Sequence, residues 1–272
     1  MLCFPNAKIN LGLFVTEKRE DGFHTIESIF LPTPFCDVLE ITTRDASDID
    51  LSVLGNVIPP SNQDNLIVRA YRLFQERTGC GGVDATLLKH IPTGAGLGGG
   101  SADAAFMLHG LNELFATRLD PHTLELWAAE LGSDCPFFIR NQPAFVTGRG
   151  ERMEPLHVQL PPLYLVLIHP GIHVATPWAF QQIKPKPAPI DLRQAIQQPI
   201  EQWAGSITND FEEAVIQAHP QVGEIKQVLL DAGACYASMS GSGSAVYGLF
   251  ENAPILPVLP ETWTVFSDKM QA

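Results

Sequence analysis

Apolar and polar residues alternate near the start of the chain. Leu11, Leu13 and Val15 share one side of 9–16, the period of a half-buried strand. The same signal returns, after turn residues, over 25–31 and 37–43. Between Asp64 and Glu76 the period changes to helical, with Leu66, Ile67, Ala70, Leu73 and Phe74 on one face and the stretch from Gly79 to Gly82 ending the run. Residues 83–89 read as a strand leading into a glycine-rich loop. Beyond the loop, Ser101 or Asp103 is expected to cap a helix running through Leu108, Leu111 and Leu114. Asp120-Pro121 opens a third helix with Leu124, Trp127 and Ala128 inward. Pro136 is expected to arrest anything helical in 132–138, and Phe145-Val146 is a short strand.

The second half repeats the mixture. Prolines around 158–162 suggest a passage between domains, giving 1–158 and 159–272. A buried strand at 163–168 follows, then a proline-rich surface loop at 184–199, helices at 209–219 and 220–231, a glycine-serine turn at 238–244 and a strand at 245–250. Strands and helices interleave without a regular β-α-β-α series, which predicts an α+β fold over a doubly wound sheet.

Composition narrows the class of partner. The 272 residues are 45% apolar and 17% charged, as in a globular chain, with a formal net charge of -13 from 30 acidic and 17 basic side chains. That balance argues against a nucleic-acid coat or an anionic membrane surface as partner. It leaves room for a small anionic substrate, because backbone N–H groups and one or two local cations suffice to hold a phosphate. The five cysteines are scattered with no CxxC pair, so neither a zinc site nor a disulfide framework is indicated. No apolar run reaches membrane-spanning length and no secretory pattern opens the chain, so a cytoplasmic location is the expectation. Oligomeric state has no signature here.

The chemistry concentrates in IPTGAGLGGGSADAAF, residues 91–106. It formally contains GxGxxG, yet lies far into the chain and outside any repeated βαβ unit, so a dinucleotide fold is disfavoured; no Gly-Lys-Ser/Thr follows, so it is not a Walker A loop. What remains is strand, glycine turn and helix, whose free N–H groups and dipole favour an anion. Ser101 can offer its hydroxyl to a phosphate or to magnesium. The plain alternative is a flexible turn with an ordinary cap. Lys8, in PNAKINLG, is either a strand lysine reaching for water or a cation aimed at a site. Asp134, in GSDCPFF, is either an Asx-turn or a proton acceptor. Phe23-His24 leave a turn at Asp21-Gly22, and Ser240–Ser244 is either a strand-entry turn or a second lining for an anion. Loop, cation and acid together fit phosphoryl transfer.

Longer segments carry a resemblance. PNAKINLGLFVTEKREDGFHTIESIF (5–30), NLIVRAYRLF (65–74), PTGAGLGGGSADAA (92–105), GSDCPFF (132–138), HPGIHVATPWAF (169–180), NDFE (209–212) and SGSGSAVYGLF (240–250) are similar to the GHMP superfamily of small-molecule kinases, nearly end to end. DGFH, GSDCPFF and NDFE narrow it to the branch acting on a cytidyl-diphospho-methylerythritol. The resemblance implies two α+β domains with the active site between them, the first like the ribosomal protein S5 domain 2 fold. It implies transfer of the γ-phosphoryl of ATP, with Mg2+, to the substrate 2-hydroxyl, on the non-mevalonate route to isoprenoid precursors.

The residue roles that follow from it are these. Asp134 receives the hydroxyl proton, and Lys8 orients the reacting groups and balances charge. Pro92, Gly94, Ala95, Gly96, Leu97, Gly98, Gly99, Gly100, Ser101 and Ala102 form the phosphate loop, with Asn65 and Lys89 toward the adenosine. Phe23 and His24 meet the cytosine, Phe180 takes its other face, and Asn10 lies by the diphosphate and sugar. Trp178, two residues from Phe180, leaves the second ring open. Phe23 stands where the family usually has tyrosine, and Ala102 where it usually has serine, so one hydroxyl is lost at each place. Competing readings are another kinase of the superfamily or an idle nucleotide-binding protein; the first has no use for a base pocket, and the second none for both Lys8 and Asp134.

Overall fold

The computed structural model describes residues 1–55, 65–158 and 160–270. Asp64, the expected start of the first helix, and residue 159, the first of the expected second domain, lie outside the described residues. The first half runs β1 (Leu2–Cys3), β2 (Asn6–Lys18), β3 (His24–Cys36), β4 (Val38–Arg44), β5 (Ile49–Gly55), α1 (Leu66–Thr78), β6 (Gly82–Lys89), α2 (Gly99–Leu114), α3 (Pro121–Leu131), α4 (Cys135–Arg140), β7 (Ala144–Gly148) and β8 (Arg152–Pro155). Then come β9 (Tyr164–His169), α5 (Thr176–Gln181), α6 (Leu192–Ala195), α7 (Glu212–Ala218), α8 (Pro220–Asp231), β10 (Tyr236–Met239), β11 (Val246–Phe250) and β12 (Thr264–Lys269).

Two compact units share this chain, and they are interleaved. One comprises 1–7, 36–93 and 98–141; the other comprises 8–35, 94–97 and the residues from 142 onward. The reason is strand pairing: the early strands β2 and β3 belong to the same sheet as β7 and β8.

In the first unit the sheet order is β1-β4-β6-β5, with β5 parallel to β6 and the other pairs antiparallel. A parallel neighbour needs a crossover, and α1 supplies it. Its buried face is Ile67, Val68, Ala70, Tyr71 and Phe74. Helix α2 packs on α1, α4 and β4. The N-cap of α2 is neither Ser101 nor Asp103 but Gly98, at φ 71°, with no side-chain cap bond. Both expected caps lie inside the helix, because the glycine turn lets it begin earlier. Pro136 likewise does not arrest a helix; it sits in the first turn of α4, where a missing N–H removes no intrahelical bond.

The second unit holds two sheets, ordered β2-β3-β7-β8 and β10-β11-β9-β12. Strand β2 extends past its expected limits because both of its faces are buried over the first ten residues. Strand β3 runs on through Pro32 and Pro34, which fall beyond Ile26–Phe30, the stretch paired with β7. In the other sheet β9 is central, antiparallel to β11 and β12. Val166 and Ile168 from β9 join Phe211, Val215, Val222, Ile225, Leu229, Met239 and Val246 in one core. Each such side chain contributes about 1.5–3 kcal/mol on burial. The expected loop 184–199 contains the short α6, capped by Asp191 accepting from Arg193 N. Strands β5 and β12 lie in stretches with no strand expectation.

Candidate active site

In the second unit, β2 brings Lys8 and Asn10 to the same side, two residues apart. Lys8 is only 3% exposed, so it does not reach for water. An isolated buried ammonium would be costly, and partners offset that cost. Nζ donates to Asn10 Oδ1 at 2.6 Å and lies 4.4 Å from the centroid of the Phe30 ring. Asn10 is buried as well. Its Nδ2 donates to Ser28 Oγ at 2.9 Å, its backbone N to Ser240 Oγ at 3.3 Å, and its carbonyl accepts from Tyr247 OH at 2.8 Å. Asn10 is thus the joint between the lysine strand and the glycine-serine turn 240–244.

That turn also grips the tip of the glycine loop. Ser240 Oγ donates to the Gly96 carbonyl at 2.8 Å, Ala245 N to the Ala95 carbonyl at 3.1 Å, and Lys8 N to the Leu97 carbonyl at 2.9 Å. Three successive carbonyls are therefore committed to protein donors. In a trans peptide the N–H of the next residue points opposite to the carbonyl, so the N–H groups of Gly96, Leu97 and Gly98 turn away from those anchors. Consecutive outward N–H groups make an anion-binding concavity. Approach is too close for side chains here: a Cβ on Gly96 would lie 2.0 Å from Ser240 O, and one on Gly94 2.5 Å from His173 Nδ1.

The proposed base-binding rings meet in part. His24 stacks on Phe180, with centroids 4.8 Å apart and planes at 14°, and Phe180 rests edge-on against Phe211 at 4.9 Å. Trp178 instead packs edge-on against His219. Phe23 is 54% exposed and carries the Arg149 guanidinium 4.8 Å from its ring centroid.

The first unit holds the rest. Asp134 is the N-cap residue of α4, half-buried, with its carboxylate in no capping bond to the helix start. The next residue, Cys135, is buried, and burial pushes its thiol up to about 11. Asn65 caps α1, Oδ1 accepting from Ile67 N at 2.9 Å. Lys89 has partners of its own: buried Nζ donates to Asp37 Oδ2 and, at 2.7 Å, to Asp103 Oδ2. Burial alone would push its ammonium down, and the two carboxylates more than reverse that. Residues 92–98 lie in the loop, and Gly99 to Ala102 open α2.

Sequence reasoning passed over Ser28, His173, Asp37 and Arg149. Asp37 and His173 had a faint signal, an acid at a strand start and a histidine inside HPGIHVATPWAF. Ser28 and Arg149 had none, since only pairing across strands brings them in.

Comparison with known proteins identifies the family. Residues 65–149 match the model of the GHMP kinases N terminal domain, and 192–255 that of the GHMP kinases C terminal domain. A 4-diphosphocytidyl-2-C-methyl-D-erythritol kinase of Bacteroides thetaiotaomicron is 48% identical over 259 residues, covering 94% of each chain. One from Parabacteroides distasonis is 44% identical, covering 98% of this chain and 97% of that one. A crystal structure of a 4-(cytidine 5'-diphospho)-2C-methyl-D-erythritol kinase, 35% identical, covers 93% of this chain and 91% of its own with a TM-score of 0.78. The mevalonate kinase of Methanococcus jannaschii, at 12% identity and TM-score 0.72, shares the fold alone.

Proposed function

This chain belongs to the 4-diphosphocytidyl-2-C-methyl-D-erythritol kinase family of the GHMP kinases, and we propose from that premise how its residues divide the work. It is an ATP-dependent kinase that phosphorylates the 2-hydroxyl of 4-diphosphocytidyl-2-C-methyl-D-erythritol, a step toward isoprenoid precursors. The observation that carries the residue assignment is the row of anchored carbonyls at Ala95, Gly96 and Leu97, which aims the following N–H groups at an anion.

In this reading the loop 92–102 receives the phosphates of ATP. The uncapped start of α2 adds its own N–H groups and the positive end of its dipole. As the acceptor oxygen bonds to the γ-phosphorus, the bond from phosphorus to the β–γ bridging oxygen breaks and ADP leaves with that electron pair. The hydroxyl proton passes to the Asp134 carboxylate. Lys8 balances the charge that develops on the transferring group. Positioning and electrostatics carry most of the rate in such a transfer.

Magnesium fits the Ser101 hydroxyl, a hard oxygen donor in the first turn of α2, and such an ion would keep several waters and be held largely through the phosphates. When bound it neutralises phosphate charge. Phe180 is assigned as the ring facing the base in preference to Trp178, with Phe23 and His24 as its companions. Asn10 is assigned to the diphosphate and sugar region and Asn65 to the adenosine side. Residues 1–158 and 159–272 are taken as the two GHMP halves, a division supported by matches that fall on either side of it. Among the described residues no helix is long and apolar enough to cross a membrane, and a cytoplasmic location is assigned.

The test is acceptor-dependent ADP release from ATP and magnesium by the wild type and by Asp134→Ala. Product phosphorylated at the 2-position, nearly absent with a folded variant that still binds ATP, supports both the activity and the aspartate. Acceptor-independent ADP release only, from a well-folded protein, overturns the acceptor assignment.

A further inference from the structure

The phosphate loop is closed at its base by a buried ion cluster. Asp37, just before β4, is fully buried, and Lys89 and Asp103 are 6% and 4% exposed. Asp37 Oδ1 accepts from the backbone N of His90 at 2.6 Å and of Ile91 at 2.8 Å, while its Oδ2 accepts from Lys89 Nζ. Asp37 therefore fixes the last residue of β6 and the first two beyond it. The same Nζ donates at 2.7 Å to Asp103, on the second turn of α2. Lys89 precedes the loop and Asp103 follows it, so one ammonium bridges both ends. Gly99 makes room for the bridge: a Cβ there would stand 2.7 Å from Ile91 Cγ2 and 3.1 Å from the ammonium.

We propose that Lys89, Asp37 and Asp103 are positioning residues for the known transfer: they set the register and direction of the first turn of α2, so that its N–H groups face the nucleotide phosphates. The proposal rests on the reading of this loop as the ATP site. It gives Lys89 a role without contact with the nucleotide. A shared buried ammonium suits this task, because without Asp103 the Lys89–Asp37 pair still balances but no longer ties the end of β6 to α2. The energy so invested holds a geometry, and geometry is what an array of backbone donors needs to discriminate a phosphate.

The test compares wild type, Asp103→Ala and Asp103→Asn. Binding of the non-hydrolysable analogue adenylyl imidodiphosphate with magnesium is measured by calorimetry, alongside KM for each substrate and the melting temperature. Asp103→Ala is expected to weaken the analogue about tenfold and raise the KM for ATP to match, with the KM of the acceptor within twofold. Asp103→Asn keeps an oxygen for Lys89 and should recover analogue affinity to within about threefold. Should Asp103→Ala fail to fold, Asp103→Leu fills the space without an acceptor and carries the same expectation. Unchanged analogue affinity in a folded Ala or Leu variant overturns the proposal. So does equal weakening of both substrates, or an Asn variant as weak as the Ala one. The calorimetric arm needs no acceptor, so it stands even if the assigned acceptor is not phosphorylated.

Discussion

The imidazole of His24 lies flat against the ring of Phe180, 4.8 Å between centroids and 14° between planes. Phe211 holds Phe180 from the side, at 86°. In the proposed reading a cytosine needs an aromatic face, and Phe180, braced by Phe211, is assigned to supply it. Base-on-ring stacking contributes about 1–3 kcal/mol when read by alanine substitution. Phe180→Ala should therefore raise the KM of the cytidyl acceptor by about tenfold or more and leave the KM for ATP within twofold. Steady-state kinetics with each substrate varied in turn decides it. Equal effects on both would take Phe180 out of the base pocket.

Asn10 accepts from the Lys8 ammonium at 2.6 Å, and both residues are buried. A hydrogen bond to a charged group is worth about 1.5–3 kcal/mol, and leaving a buried donor with one acceptor fewer costs as much. Asn10→Ala should lower stability by about 2 kcal/mol and reduce kcat at least tenfold through misplacement of Lys8. Urea unfolding followed by circular dichroism gives the first figure, and turnover at saturating substrates gives the second.

Asp103 makes stability depend on pH. Burial pushes its carboxyl from 3.8 up to about 7; Lys89 pulls it down and Asp37 adds to the rise. Its Oδ1 is buried without a hydrogen-bond partner among the described residues. Since the folded state holds the proton more tightly than the unfolded chain, this group's contribution is full below about pH 4 and is lost as the pH rises toward 7. The slope from one such group is at most about 1.4 kcal/mol per pH unit. Asp103→Asn cannot ionise, so its melting temperature relative to wild type should climb between pH 5 and pH 8. A constant difference across that range would show that Asp103 is ionised throughout.

Cys135 sits beside Asp134, yet its thiol is held up to about 11 by burial. Thiolate is the reactive form, so this cysteine should be nearly inert in the native protein at pH 8. Labelling with iodoacetamide, mapped by mass spectrometry, should reach the half-buried Cys3, Cys36, Cys80 and Cys235 before Cys135, which should react only on unfolding.

Much of this was legible along the chain, for identifiable reasons. The helix at 66–78 and the strand at 82–89 show their burial directly as periodicity, and the Asp120-Pro121 start of α3 follows from local capping chemistry. The glycine loop stood out because glycines before a helix have few other uses, and it does open α2 at Gly98. What escaped was set by distant pairing. Pro136 read as a breaker because its place in the first turn of α4 depends on where that helix begins. Lys89 read as a ligand contact because the two acids that take up its charge stand 52 residues before it and 14 after. Asp37 looked like an ordinary turn acid, and only the fold turns it into an acceptor for two backbone N–H groups and an ammonium.

Gly96 tests the anchored-carbonyl geometry most directly. Its φ is +77°, which side chains other than glycine rarely adopt, and a Cβ would stand 2.0 Å from the carbonyl oxygen of Ser240. That neighbour is backbone, so no rotamer change relieves the clash; either the loop tip or the 240–244 turn must move. Moving either breaks the Ser240 bond to the Gly96 carbonyl and turns the N–H of Leu97 away from its present direction. Gly96→Ala should weaken ATP binding by at least tenfold. The melting temperature should fall far less than a core deletion would lower it, because the lost contacts lie at a loop tip. A folded Gly96→Ala protein that binds ATP as wild type does would mean that the outward N–H groups at 96–98 are not what holds the phosphates.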